Sequence, residues 1–288
     1  MIAHESPRLA IVRRPGDLRS RLRAWRSEGR TVALVPTMGA LHEGHHSLIR
    51  LAKRNADRVV VSLFVNPAQF ARGEDFAGYP RDEATDAGSL ATTGCDLLFA
   101  PEAQAIYPPG FSTKVIVAGL GDSLEGAARP GHFSGVATVV AKLLILCDPD
   151  VAVFGEKDYQ QLAVIQRLVL DLELPVRIVP APIVREPDGL ALSSRNVYLT
   201  AAERRIAPAL HRELERAVDK LRAGVALDLA EADGARDVLA TGFDAVDYFE
   251  AREQGTLKRP ALDAAPTSLR LMAAARLGRT RLLDNLAI

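Results

Sequence analysis

Through the first two-thirds of the chain, short β-branched runs alternate with longer amphipathic stretches, a pattern that few folds accommodate. Residues 31–35 (TVALV), 58–64 (RVVVSLF), 96–99 (DLLF), 151–154 (VAVF) and 176–179 (VRIV) read as buried strands. Helical patterns occupy 44–56, 82–92, 134–146 and 158–172. In the last of these, Leu162, Ile165, Leu168 and Val169 recur at helical spacing, with Leu172 one turn on. Strands alternating with helices predict a parallel sheet covered on both faces, an α/β fold of the Rossmann-like, doubly wound kind. Ligands of such sheets bind beyond the carboxyl ends of the strands, so the residues following each strand are the ones that matter.

The pattern changes after Val184. Thr200 is placed to cap a helix over 201–223, with Ile206, Leu210, Leu214, Ala217 and Leu221 on one face. A second helix is expected over 228–241, then strands at 246–251, 269–275 and 281–286. This is an α+β pattern without strand–helix–strand alternation. The 288 residues, against ~100–200 per domain, then divide into a first domain over 1–183 and a smaller C-terminal one over 184–288.

Composition removes several classes of function. Hydrophobic residues make up 48% and charged residues 25%, so a disordered or fibrous chain is excluded. Basic and acidic residues balance at 36 each, which argues against a nucleic-acid partner. Cys95 and Cys147 sit in apolar stretches and predict no disulfide framework. No apolar run approaches the ~18 residues of a membrane span. His4, Glu5, Arg8 and Arg13 leave no room for a signal-peptide core. A soluble, cytoplasmic protein is expected.

The strand at 31–35 runs into Pro36-Thr37-Met38-Gly39-Ala40-Leu41-His42-Glu43-Gly44-His45-His46. His42 to His46 fits H-E-x-x-H, the zinc-peptidase helix, but Gly44 interrupts it and a loop precedes it. Gly39 and Gly44 have P-loop spacing, yet His45-His46 stands where Lys-Ser/Thr would hold phosphate and metal. A third reading takes His42 and His45 as H-x-G-H opening a helix. Gly44 then permits close backbone approach, free N–H groups face phosphate, and two histidines three apart share one side of the first turn.

Three further loops carry polar candidates. After 58–64 come Asn66, Pro67 and Gln69, whose amides suit a small polar substrate, although Asn66 alone reads as a turn cap. After 151–154 come Gly155, Glu156, Lys157 and Asp158. Lysines are few in this chain, and one at a helix entrance favours an anion such as a nucleotide phosphate. The turn Pro187-Asp188-Gly189 precedes Leu192-Ser193-Ser194-Arg195, whose hydroxyls and guanidinium can engage several phosphate oxygens. Read alone, that last stretch is a common polar loop. Arg129 and His132 are plausible anion contacts or merely loop and cap residues. Ser134 lacks the G-x-S-x-G setting of a hydrolase nucleophile.

Taken in order, PTMGALHEGH (36–45), FVNPAQF (64–70), RPGHFSGV (129–136), GEKDYQQ (155–161) and LSSRNVYL (192–199) resemble the pantothenate synthetase, or pantoate–β-alanine ligase, family over nearly the whole chain. That family belongs to the nucleotidyltransferases that include class I aminoacyl-tRNA synthetases. HEGH is similar to their HIGH motif, and SSRN to their KMSKS loop. The resemblance implies an ATP-dependent ligase joining (R)-pantoate to β-alanine through a pantoyl adenylate, with release of AMP and pyrophosphate. It implies His42, His45 and Lys157 as catalytic residues. Met38, Gly39, Gly44, Gly155, Asp158, Val184, Leu192, Ser193, Ser194 and Arg195 are implied at the nucleotide. Gln69, Gln161, Asn66, Pro36, Thr37, Tyr79, Val139 and Val140 are implied around pantoate and β-alanine. Mg²⁺ is expected with ATP, held by phosphates and water, and a homodimer is expected. The acidic cluster Asp82, Glu83 and Asp86 departs from the expected arrangement, so no metal ligand is assigned. His46 departs too, and is expected to be a bystander.

Overall fold

The computed structural model describes residues 9–71, 74, 76–261 and 268–288. His4, Glu5 and Arg8, used above to argue against a signal peptide, lie outside them. Among the described residues no helix is long and apolar enough to cross a membrane. Two compact units result, Met1–Glu156 with Val164–Ala181, and Lys157–Ala163 with Pro182–Ile288.

The first unit holds a six-stranded parallel sheet: β1 (Ala10–Val12), β2 (Val32–Thr37), β3 (Arg58–Leu63), β4 (Leu97–Phe99), β5 (Val151–Gly155) and β6 (Arg177–Ala181), in the order β1-β4-β3-β2-β5-β6. Its helices are α1 (Pro15–Ser27), α2 (Glu43–Asn55), α3 (Glu83–Thr93), the one-turn α4 (Ala103–Ile106) and α5 (Glu125–Ala128), and α6 (His132–Cys147). Helix α7 (Tyr159–Asp171) follows β5. Ala33, Val35, Val59, Val61 and Val153 bury one face against Ile49 of α2 and Leu90 of α3. Their neighbours Leu34 and Val60 are equally buried, so the other face is covered as well. There α6 packs on β2 and against α1. Sealing on both faces explains the apolar runs of β2, β3, β4 and β5, whereas β6, expected to be buried, lies at the sheet edge with Arg177 and Pro180 exposed and Ile178 and Val179 only half-buried.

From the β2–β5 pair the chain runs outward through β3 and β4 on one side and β6 on the other, with β1 added beyond β4, which makes the gap between the carboxyl ends of β2 and β5 the topological switch point of the sheet. The five expected strands are all present. β1 and α1 are additional: β1 is three residues long, and α1 buries only Leu18 and Leu22 among its arginines, so neither has a strong period.

In the second unit, β7 (Ala245–Glu253), β8 (Leu269–Leu277) and β9 (Thr280–Ala287) form an antiparallel sheet in chain order. Helices α9 (Ala209–Arg222) and α10 (Leu227–Ala240) bury Leu214, Val218 and Val238 against Leu271, Ala273 and Leu282. The single helix expected over 201–223 is two. The first piece, α8 (Ala201–Ile206), is capped by Thr200 as expected and ends before Pro208, which has no N–H to continue the ladder. Cys95 and Cys147 are free thiols, and burial pushes both up to about 12.

Candidate active site

Pro36 and Thr37 end β2, and the chain then turns through Gly39 (φ +91°) and Ala40 (φ +52°) into α2. Asp86 of α3, only 4% exposed, fixes this turn by accepting the amides of Ala40 (3.0 Å) and Leu41 (2.8 Å). His42 is the N-cap of α2 in extended conformation, and its Nδ1 accepts the Gly44 amide (3.1 Å). His45 Nδ1 in turn accepts the His42 amide (3.3 Å), and the two rings lie 4.1 Å apart. With both Nδ1 lone pairs engaged by N–H groups, a neutral ring at either position carries its proton on Nε2. The helix start therefore sets two imidazole rings side by side, each with its Nδ1 held by a backbone amide. His42 lies outside the helix proper, whereas His46 turns towards Ser89 (3.3 Å) and Glu43 (3.6 Å), so the H-E-x-x-H pair does not share a helix face.

Asn66 caps the 3₁₀ turn Pro67–Gln69, its Oδ1 accepting the Ala68 amide (3.2 Å). The capping reading of Asn66 is thus correct, and the residue does more besides. Its Nδ2 donates to Gln69 Oε1 (3.0 Å) and to the Gly135 carbonyl (3.1 Å), while the Tyr107 hydroxyl donates to its Oδ1 (2.7 Å). Gln69 Nε2 reaches Met38 Sδ at 3.2 Å. A residue expected at pantoate and one expected at the nucleotide are therefore in contact. Gly135 has no room for a side chain, since a Cβ there would overlap the Ala68 carbonyl. A cavity of about 380 Å³ opens beside Gln69, walled in part by Phe70, Tyr107, Phe111, Lys114 and His132.

His132 and Arg129 brace the same turn. His132 Nδ1 lies 2.8 Å from the Gln69 carbonyl, Arg129 faces His132 Nε2 at 3.2 Å, and Arg129 grips both oxygens of Glu74 (2.8 and 2.6 Å). The carbonyl accepts and the guanidinium donates, which requires a neutral ring protonated on Nδ1. Burial, with Arg129 nearby, pushes the His132 pKa down to about 4. Burial raises that of Glu74, but Arg129 more than offsets it, leaving the carboxyl below its ordinary range. Tyr79 is buried edge-on to Phe70, and Val139 and Val140 are buried in α6. The Thr37 hydroxyl is spent on the Ser62 carbonyl (2.8 Å).

In β5, Gly155 is the last residue, and the 3₁₀ turn Glu156–Asp158 follows. Within the second unit, Lys157 Nζ lies 3.8 Å from Asp158 Oδ1, and Gln161 stands half-buried in the first turn of α7. Val184 and Leu192 are paired, the Leu192 amide donating to the Val184 carbonyl (2.9 Å) beside the Arg185–Ala191 bridge. Ser193 then caps the 3₁₀ helix Ser194–Tyr198, its Oγ accepting the Arg195 amide (3.3 Å). Among the described residues no cluster of three His, Cys, Asp or Glu side chains could hold a metal ion.

The family model described as pantoate–β-alanine ligase matches residues 10–287. The chain belongs to the pantoate–β-alanine ligase family. The pantothenate synthetase of Paramagnetospirillum magneticum is 56% identical, covering 96% of this chain and 97% of the relative. That of Rhodospirillum rubrum is 55% identical over 97% and 99%. Among solved structures, the Thermus thermophilus pantothenate synthetase superposes with a TM-score of 0.91 at 45% identity, covering 97% of this chain and 99% of that one. The Francisella tularensis ligase, described as complexed with β,γ ATP and β-alanine, gives 0.81 at 34% identity, with 97% of each chain covered. Local spacing does not mark Glu74 or Tyr107, and it marks Asp86 only as one of an acidic cluster. Each acts through a partner far along the chain: Glu74 through Arg129, 55 positions away, Tyr107 through Asn66, 41 away, and Asp86 through Leu41, 45 away.

Proposed function

We propose that this ligase condenses (R)-pantoate with β-alanine in two ATP-dependent steps. The pantoate carboxylate attacks the α-phosphate of ATP, giving pantoyl adenylate and pyrophosphate. The β-alanine amine then attacks the acyl carbon and releases AMP. The observation that carries this reading is the pair of Nδ1-capped imidazoles at the start of α2. Their Nε2–H groups are oriented before any ligand arrives, as transition-state stabilisation of a phosphoryl centre requires.

In this reading His42 and His45 donate to the phosphates, and His45 assists departure of pyrophosphate. Lys157 stabilises charge at the α-phosphate, and Ser193, Ser194 and Arg195 hold the outer phosphates. Met38, Gly39, Gly44, Gly155, Asp158, Val184 and Leu192 surround the rest of the nucleotide. Gln69 and Gln161 bind the pantoate hydroxyls and carboxylate, with Asn66 fixing the Gln69 amide. Pro36, Thr37, Tyr79, Val139 and Val140 complete the wall. Mg²⁺ enters with ATP and is coordinated by phosphate oxygens and water. Residues 1–183 form the ATP- and pantoate-binding domain, and 184–288 a smaller domain that carries the phosphate loop. The enzyme works as a homodimer in the cytoplasm.

Pyrophosphate release from ATP tests the reaction directly. It should require pantoate, and it should turn over repeatedly only when β-alanine is added. Absence of pantoate-dependent release from folded, ATP-binding protein would overturn the substrate assignment. Sedimentation of the purified protein tests the dimer.

A further inference from the structure

We infer that Asn285, on the last strand of the C-terminal sheet, is a positioning residue for Lys157. The inference rests on the role proposed above for that lysine. Asn285 is 2% exposed, and burying an amide in a core costs stability unless its groups are bonded, so its partners are informative. Its Nδ2 donates to the Lys157 main-chain carbonyl at 3.0 Å. Its Oδ1 accepts from Arg270 of β8. The orientation is unambiguous, because a flipped amide would set NH₂ against a guanidinium and oxygen against a carbonyl.

Arg270 extends the grip, since its guanidinium lies 4.0 Å from the ring centre of Tyr159, two residues beyond Lys157. The sheet thus holds the lysine turn at two points, by its backbone and by the first residue of α7. Fixing the carbonyl of Lys157 fixes the backbone from which its side chain departs, while its ammonium group lies 3.8 Å from Asp158 Oδ1. The preceding residue anchors a second segment. Asp284, also buried, pairs through both oxygens with Arg185 (2.6 and 2.8 Å), and Arg185 donates to the Gly189 carbonyl (3.0 Å) in the hairpin that leads to Ser193. Consecutive residues of β9 therefore hold the lysine turn and the hairpin before the serine loop, both inside one compact unit. A buried Asp-Asn pair in a strand is otherwise a poor choice for a hydrophobic sheet.

The test is single-turnover pyrophosphate release from ATP and pantoate, measured per folded site on the full chain. Asn285→Asp keeps an oxygen towards Arg270 but removes the donor to Lys157, and Asn285→Ala removes both contacts without adding charge. Each should slow release by ~10-fold or more, with pantoate KM nearly unchanged, as expected for a misplaced charge stabiliser. In a Lys157→Ala background the same changes should cost almost nothing further, because coupled residues are non-additive. Wild-type rates in the folded Asn285 variants, or equal losses in both backgrounds, would overturn the inference while leaving the role of Lys157 intact. A wild-type rate in Lys157→Ala alone would overturn the reading of the lysine, and the inference with it.

Discussion

Asp86 Oδ1 accepts the amide of Leu41 at 2.8 Å, immediately before the histidine that caps α2. Its other oxygen takes the amide of Ala40 (3.0 Å), so one buried carboxylate satisfies two successive N–H groups of a left-handed turn. Asp86→Ala should cost about 1–3 kcal/mol, the penalty of a buried donor left without a partner. Asp86→Asn should be little better, since its amide offers only one acceptor oxygen for the two donors. Chemical denaturation measures the loss, and a raised ATP KM in both variants would show that the turn positions the histidines.

Substituting asparagine for His45 separates its two roles. An asparagine Oδ1 falls near the place of Nδ1 and can keep the capping acceptor, but it has nothing at the place of Nε2. His45→Asn should therefore melt near the wild-type temperature and still lose ~10²-fold in the rate of pyrophosphate release, the scale of one preorganised donor. A rate within a few-fold of wild type would sink the donor role. Lys157→Ala should show a similar loss.

His132 makes stability depend on pH. Its pKa is about 4 in the folded protein against 6.5 ordinarily. Between those values the unfolded chain binds the extra proton, so stability is fully present above pH 6.5 and falls as pH drops through 4. The loss from this group is on the order of 3 kcal/mol. His132→Asn, which does not titrate but can still donate to the Gln69 carbonyl, should flatten that part of the profile. Urea unfolding of both proteins at pH 7 and pH 4.5 would reveal an unchanged slope if another group were responsible.

Gly135→Ala should be disruptive despite adding a single methyl group. The new Cβ meets the Ala68 backbone, not the end of a flexible side chain, so the Pro67–Gln69 turn must move. A stability cost of about 1–3 kcal/mol is expected. Because Asn66 and Gln69 move with that turn, the pantoate KM should rise well before that for ATP. Equal changes in both constants would point to a global effect.

Much of the architecture was legible in the residues themselves. Apolar runs such as 59–61 (VVV) and the helical spacing of Leu162, Ile165 and Leu168 record burial on two faces and on one, and burial is a local demand repeated along the chain. The loops bearing His42, His45 and Lys157 follow β2 and β5, where the strand–helix alternation directs attention, whereas Ser193–Arg195 read alone is a common polar loop. Sequence periodicity blurred at Pro208, where the apolar stripe continues from α8 into α9 although the backbone ladder cannot.

What tertiary structure alone decided is which residues hold those loops in place. Asp86 lies 45 positions from Leu41, His132 lies 63 from Gln69, and Asn285 lies 128 from Lys157. Each is a polar side chain whose partner is a main-chain N–H or carbonyl, and every residue except proline offers both, so nothing in either stretch of sequence names the other. Only folding brings the pair together, and burial then obliges the polar groups to find one another.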